Sequence, residues 1–180
     1  MHLYQQSAGL CVSHFKVNEK SYNFYDCAGS PPERRKWVDE FDSTDVVIFT
    51  FNASFFGVVG GKGYLIEDQF DTWQSTVNSK WFSKTHIIVL FTNVDMLATV
   101  LAQSPTLDLF NGVFEEVPVT KEDALRGLAN HLMSMVRGPD GPGRPPRWIT
   151  FWHASIANSP TELAEVVLSA LKHIENEELQ

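Results

Sequence analysis

Asp26-Cys27-Ala28-Gly29 stands directly after an apolar run and just before the charged stretch Glu33-Arg34-Arg35-Lys36-Trp37. A carboxylate at the carboxyl end of a strand can hold a Mg2+-bound water, and a glycine three positions on lets a backbone N–H approach a phosphate. The same four residues are also ordinary turn chemistry, and their spacing alone does not separate the two readings. Gly60-Gly61-Lys62 invites comparison with a phosphate-binding P-loop. That motif needs a glycine separated by four residues from the Gly-Lys pair, and Ser or Thr after the lysine. Phe56 and Gly63 occupy those positions, so the stretch reads as a surface loop. His14, His86, His131, His153 and His173 have no mutual spacing that suggests a site, and Cys11 and Cys27 sit at neither disulfide-framework nor metal-ligand spacing. His153 beside Ala154 can be read as touching a ligand edge or as a loop histidine with a partner of its own.

Several elements must position these groups. Short runs rich in β-branched and aromatic residues, Leu10–Phe15, Tyr22–Tyr25, Val46–Phe51, Ile87–Phe91 and Trp148–Trp152, read as strands. Val46–Phe49 and Ile87–Phe91 are continuously apolar, as strands covered on both faces are. Asn18-Glu19-Lys20 fits the turn of a hairpin joining the first two. Leu125, Leu128, Ala129, Leu132, Met133 and Val136 fall on one helical face after Thr120, a plausible N-cap. Ser159-Pro160-Thr161-Glu162 opens a second helix with a cap, a first-turn proline and a capping-box glutamate, followed by the stripe Leu163, Val166, Val167, Ala170, Leu171 and Ile174. A noisier third helix spans Ile66–Val77. Gly57–Gly63 and Gly138–Pro146 read as loops. Strands alternating with helices predict an α/β fold with a mostly parallel sheet and flanking helices.

The 180 residues fit one ordinary domain, 1–180. Fourteen Lys and Arg against 22 Asp and Glu give a net charge of −8, which argues against a protein that coats nucleic acid, because phosphate neutralisation needs a basic face. No run has transmembrane length and Met1-His2-Leu3-Tyr4 opens no signal peptide, so a soluble intracellular protein is expected.

Tyr22–Phe41 resembles the switch II region of heterotrimeric G-protein alpha subunits: a strand, Asp-x-x-Gly, Glu-Arg-Arg-Lys-Trp and a closing Phe. Val46–Ala53 is similar to the family's next strand, and Asn78-Ser79-Lys80-Trp81-Phe82 to its Asn-Asn-Lys-Trp-Phe signature. Ile87–Asp95 resembles the strand leading into the guanine-recognition motif, Trp152–Ser155 the last base-contacting loop, and Ser7-Ala8-Gly9-Leu10 the end of switch I. The likeness runs through nearly the whole chain in the family's order, and the two Trp-containing motifs distinguish alpha subunits from small GTPases.

The resemblance implies a partial Ras-like GTPase domain that starts at switch I and lacks the P-loop strand and the inserted helical domain. In that fold the P-loop strand lies between the strand ending at Asp26 and Val46–Phe51. Its absence is expected to leave unpaired backbone edges, unless the neighbours close up or another chain fills the gap. The implied function is that of a guanine-nucleotide-binding transducer in G-protein-coupled receptor signalling. Ser7 and Asp26 would serve Mg2+; Ala28, Gly29 and Ser30 the phosphates; Thr92, Asn93 and Asp95 the guanine base; and the Ala154 backbone N–H the guanine O6.

The departures from the family pattern are specific. The catalytic arginine of switch I falls at Tyr4 and the water-orienting glutamine at Ser30, so no catalytic residue is intact. Asn-Lys-x-Asp reads Thr92-Asn93-Val94-Asp95. Weak binding of GTP or GDP with Mg2+ and little hydrolysis are therefore expected. Arg34, Lys36 and Trp37 match positions that grip the beta–gamma dimer. The alternative is a non-enzymatic module that binds beta–gamma or competes with true alpha subunits. A receptor and an effector enzyme are further implied partners, with a cytoplasmic location that reaches the inner face of the plasma membrane through them. The acidic finish Glu175-Asn176-Glu177-Glu178 opposes the macrodipole at the receptor-coupling end of the last helix.

Overall fold

A computed structural model describes residues 9–17, 19–29, 32–34, 37, 44–56, 58–60, 63–82, 85–103, 112–138, 141–142, 149–154 and 160–178. The chain divides into two compact units, Met1–Thr44 and Asp45–Gln180.

The first unit is built on an antiparallel hairpin of β1 (Leu10–Val17) and β2 (Lys20–Cys27), in register from Leu10 opposite Cys27 to Val17 opposite Lys20. Glu19 takes the left-handed conformation at the turn, with φ 68°, as a tight hairpin link requires. Directly opposed residues share a face, so Phe15, Tyr22 and Phe24 collect on one side. Phe15 stacks on Tyr22 with centroids 5.4 Å apart and meets Phe24 at 6.4 Å. Such cross-strand aromatic pairs are what pins the register of a ribbon.

The second unit opens with β3 (Val46–Asn52) and a 3-10 turn over Ala53–Phe55. The short ladder of β4 (Val59–Gly60) and β5 (Gly63–Tyr64) leads into helix α1 (Leu65–Val77). After β6 (His86–Thr92) come α2 (Val94–Ala102) and α3 (Lys121–Ser134). A second short ladder, β7 (Arg137–Gly138) with β8 (Gly141–Pro142), precedes β9 (Ile149–His153) and α4 (Pro160–Glu178). The main sheet has the order β3-β6-β9 and is parallel throughout. This is the α/β fold that the alternating pattern predicts.

The continuous apolar run of β6 is explained by its central place: Ile87 through Thr92 are all buried. On one face Ile88 packs with Ala170 and Ile174 of α4, joined by Val46, Ile48, Trp152 and Leu171. On the other, Phe49 meets Trp73 of α1 edge-on at 5.3 Å, and Phe51 lies between Phe70 and Phe91. Trp73 is fully buried, and its indole N–H donates to the Leu132 carbonyl of α3 at 2.8 Å. Removing the ring would cost about 3–5 kcal/mol, through lost burial plus the unpaired carbonyl it leaves.

Thr120 caps α3 as its position suggests: its hydroxyl oxygen accepts from the Asp123 N–H at 3.0 Å and its hydroxyl donates to the Asp123 carboxylate at 2.7 Å. That donated bond, with Arg126 adding its charge, holds the Asp123 carboxyl below its ordinary range.

Several features differ from the sequence-based expectation or lie beyond it. Helix α2 was not anticipated, because Asn93 caps it through its backbone carbonyl and makes no side-chain cap bond. Both glycine-rich loops contain a two-residue ladder. Ser159 lies outside the described residues, so α4 is seen to start at Pro160 and to run through the acidic finish to Glu178. Among the described residues β2 pairs with β1 in the first unit, and β3 pairs with β6 in the second. At the end of β3, the Gln69 carboxamide accepts from the Asn52 N–H at 2.7 Å and donates to the Asn52 carbonyl at 3.1 Å, satisfying both groups as a neighbouring strand would. Among the described residues no helix is long and apolar enough to cross a membrane.

Candidate functional site

Two sets of candidate residues fall in the two units. In the first, Asp26 is the penultimate residue of β2, with its side chain exposed, opposite Cys11. Ala28 is buried and its N–H donates to the Gly9 carbonyl at 3.1 Å, which carries the loop back toward the start of β1. Gly29 follows with ordinary backbone angles, and among the described residues nothing lies within 4 Å of where a Cβ would stand. Neither strain nor packing within the chain demands a glycine there. What it leaves is an open approach to the backbone, which is what a phosphate contact uses.

Three side chains further along, Glu33, Arg34 and Trp37, turn inward on this loop. Arg34 donates from Nε to the Gly29 carbonyl at 2.8 Å. The half-buried Trp37 donates from its indole to the Ala28 carbonyl at 3.1 Å. Glu33 accepts from the Gly9 N–H at 3.0 Å. Arg34 and Trp37, expected as partner-facing residues, thus use polar atoms to shape their own loop. Glu33 carries no expectation in the sequence, since no periodicity marks a carboxylate that reaches 24 residues back to an amide. Tyr4, Ser7, Ser30 and Lys36 lie outside the described residues.

In the second unit the candidates gather at the carboxyl ends of the parallel strands, where open α/β sheets bind ligands. Thr92 closes β6 and is buried; its hydroxyl approaches the Phe51 carbonyl at 3.4 Å. Asn93 takes the left-handed conformation, φ 54° and ψ 37°, which asparagine tolerates better than most residues. Its carbonyl accepts the N–H groups of Met96 and Leu97 and so starts α2. Asp95 stands in the first turn of α2, where the helix dipole favours a carboxylate. Its Oδ1 is buried and has no hydrogen-bond partner among the described residues. Ala154 is buried just beyond β9, and its N–H donates to the Phe91 carbonyl at 2.9 Å as the last rung of the β6–β9 ladder. In this conformation that amide is engaged within the sheet, not presented to a base edge. Trp152, the last residue of the expected strand Trp148–Trp152 and the first of the stretch that resembles a base-contacting loop, sits within β9 against α4, with His173 at 6.4 Å.

The fit to a guanine nucleotide is thus uneven. A buried carboxylate oxygen without a donor is costly in isolation, and a purine edge carrying adjacent N–H groups would satisfy it. Gly29 leaves room for a phosphate. For Mg2+, Asp26 is an exposed carboxylate, and among the described residues no three metal-ligating side chains come together.

Residues 1–174 match the family model described as G-protein alpha subunit. The chain is 30% identical to the guanine nucleotide-binding protein alpha-1 subunit of Mycosarcoma maydis over 114 residues, 59% of this chain and 31% of that protein. It is 22% identical to the alpha-2 subunit of Neurospora crassa over 138 residues, 75% and 39% of the two chains. It is 28% identical to the G(o) subunit alpha of Geodia cydonium over 102 residues, 55% and 28%. The chain therefore spans less than two-fifths of the length of these relatives.

Proposed function

Since this chain belongs to the G-protein alpha-subunit family, we propose that it is a guanine-nucleotide-binding signal transducer that recognises the base through Asp95 and hydrolyses GTP slowly. The observation that carries the reading is the buried Asp95 Oδ1 at the carboxyl edge of the sheet, without a hydrogen-bond partner among the described residues. Guanine presents N1–H and the 2-amino group side by side, two donors for one carboxylate, and such charge-assisted pairs are the stronger kind. Adenine presents no such pair at that edge.

The chain's own residues define the rest. Thr92 and Asn93 stand where the family pattern has Asn and Lys, so Asp95 carries most of the base recognition. When bound, Mg2+ would neutralise charge on the phosphates, and the family resemblance implies Asp26 and Ser7 as the residues that would hold it. Tyr4 cannot stabilise charge on a transferring phosphoryl group and Ser30 is too short to orient water as a glutamine does. Among this family's own members, rather than from anything in this chain, the arginine is known to be worth about 10³–10⁵ in rate.

Titration with fluorescent analogues of GDP and ADP tests this. Guanine nucleotides should bind more tightly than adenine nucleotides, and Asp95→Asn should weaken guanine binding by about tenfold or more, the cost of one charged hydrogen bond. Equal affinity for the two bases, or no effect of Asp95→Asn, would sink the proposal.

A second reading, that the chain binds a beta–gamma dimer without acting as an enzyme, is favoured by Trp37. Its indole is tied down while part of the ring stays accessible, so little ordering cost remains for a partner to meet. Together with Arg34 and Lys36 it would form the contact, and coupling to a receptor, an effector and the inner membrane face belongs to the same proposal. Capture of beta–gamma by the wild type and its loss in Trp37→Ala is the expected result.

A further inference from the structure

The carboxyl end of β3 is held from α1 by one side chain. The Gln69 carboxamide accepts the Asn52 N–H at 2.7 Å and donates to the Asn52 carbonyl at 3.1 Å. Asn52 is opposite Thr92 in the last rung of the β3–β6 register. Its own side chain reaches forward: Oδ1 accepts the Ser54 N–H at 3.0 Å and the Ser54 hydroxyl at 2.7 Å, which caps the 3-10 turn Ala53–Phe55. That turn packs on both α2 and β6, and Ala53, Val94 and Leu97 are buried. Helix α2 depends on such packing for its place. It is nine residues long, too short to hold by helix propensity alone, and Asn93 before it makes no side-chain cap bond. Asp95 stands in its first turn.

We propose that Gln69 is a positioning residue for base recognition. By fixing the end of β3 it fixes the turn Ala53–Phe55, and through that turn the start of α2 and the Asp95 carboxylate. Gln69 acts through Asn52, whose backbone it holds and whose side chain holds the turn. The inference rests on the reading of Asp95 as the carboxylate that meets guanine. To that reading it adds a residue on another helix, outside the stretches that resemble the base-recognition motifs. The whole carboxamide is needed, since one bond uses its oxygen and the other its nitrogen. A hydrocarbon of similar size leaves both Asn52 groups without that partner, and an ionised carboxylate keeps the acceptor but loses the donor.

Amide exchange on the full 15N-labelled chain, read by NMR before nucleotide is added, tests the positioning. In Gln69→Leu the Met96 and Leu97 amides, which donate to the Asn93 carbonyl, should exchange about fivefold faster, as expected for loss of one net hydrogen bond. The Trp73 indole N–H, which donates to the Leu132 carbonyl, should keep its rate and so report an intact core. Gln69→Glu should fall between wild type and Gln69→Leu. Unchanged Met96 and Leu97 rates overturn the proposal. If Gln69→Leu loses the indole protection, Gln69→Glu decides on the same criterion. Loss of that protection in both variants also overturns it, because the carboxamide then serves the core as a whole. Titration with fluorescent analogues of GDP and ADP reads the effect on the base. In Gln69→Leu the preference for guanine should fall. Asp95→Asn should cost about threefold or less in that background, against about tenfold or more in the wild type, a coupling that loosened packing elsewhere does not produce. An undiminished cost of Asp95→Asn overturns the proposal. Equal affinity of the wild type for the two bases defeats the reading of Asp95 instead, and the exchange rates alone then decide whether Gln69 sets the start of α2.

Discussion

Asn78 shows how much a single polar residue can organise. Its amide group donates to the carbonyls of Gln74 at 2.8 Å and Met135 at 2.9 Å, and its carbonyl oxygen accepts the Arg137 N–H at 2.7 Å. The end of α1 is thereby tied to the end of α3 and to the start of β7. Asn78→Ala should lower stability by about 1–2 kcal/mol, because partly buried backbone groups lose their partners. Asn78→Asp should do no better, since a carboxylate keeps the acceptor but faces two carbonyls without a donor; denaturant midpoints of the two variants check both statements. His131 is a second case. Its ring lies edge-on to Phe70 at 4.9 Å, and burial pushes its pKa below the ordinary 6.5. The folded state therefore binds a proton less readily than the unfolded one. Stability from this residue is fully present above 6.5 and is lost as the pH falls below it toward the lower folded value. Unfolding curves over that range should show a steeper acid-side loss in the wild type than in His131→Gln.

At the scale of elements, close approach is set by glycine where helix propensity would choose otherwise. Gly127 lies inside α3, and a Cβ there would stand 2.4 Å from the Phe114 ring, which itself packs on Phe56 with centroids 6.0 Å apart. An alanine gains up to about 1 kcal/mol in helix propensity, while an overpacked contact costs about 1–3 kcal/mol. Gly127→Ala should therefore be net destabilising. The loss should shrink in the Gly127→Ala, Phe114→Ala double variant relative to Phe114→Ala alone, a non-additivity that thermal melts can read. Periodicity marks α1, α3 and α4, because each carries an apolar face at helical spacing, and a continuous apolar run marks β6. The same patterning could not reveal α2, whose start is fixed by a left-handed backbone at Asn93, nor the Gln69 carboxamide standing in for a strand beside Asn52. Those arrangements depend on partners 17 residues or more away in the chain, or on a backbone angle.

For the molecule as a whole, the two units carry unequal means of holding themselves together. Asp45–Gln180 contains the three-stranded parallel sheet, the helices and almost the entire buried core. Met1–Thr44 rests on a two-stranded hairpin, and such a ribbon alone is marginal in water. Residues 45–180 expressed by themselves should melt cooperatively with an α/β circular dichroism spectrum, whereas residues 1–44 should show no cooperative transition. A non-cooperative melt of 45–180 would mean that its core needs the hairpin. The sequence by itself determined the family, the α/β alternation, the buried central strand, the hairpin and the cap at Thr120, because each is written in local spacing or in a contiguous motif. Tertiary structure alone decided that Arg34, Trp37 and Glu33 spend polar atoms on their own loop, that the Ala154 amide completes a ladder, and that Asp95 keeps a buried oxygen without a donor among the described residues. The physical reason is common to all of these. A side chain's type states which bonds it is able to make, but which donor or acceptor lies within 3 Å is settled by how distant segments pack.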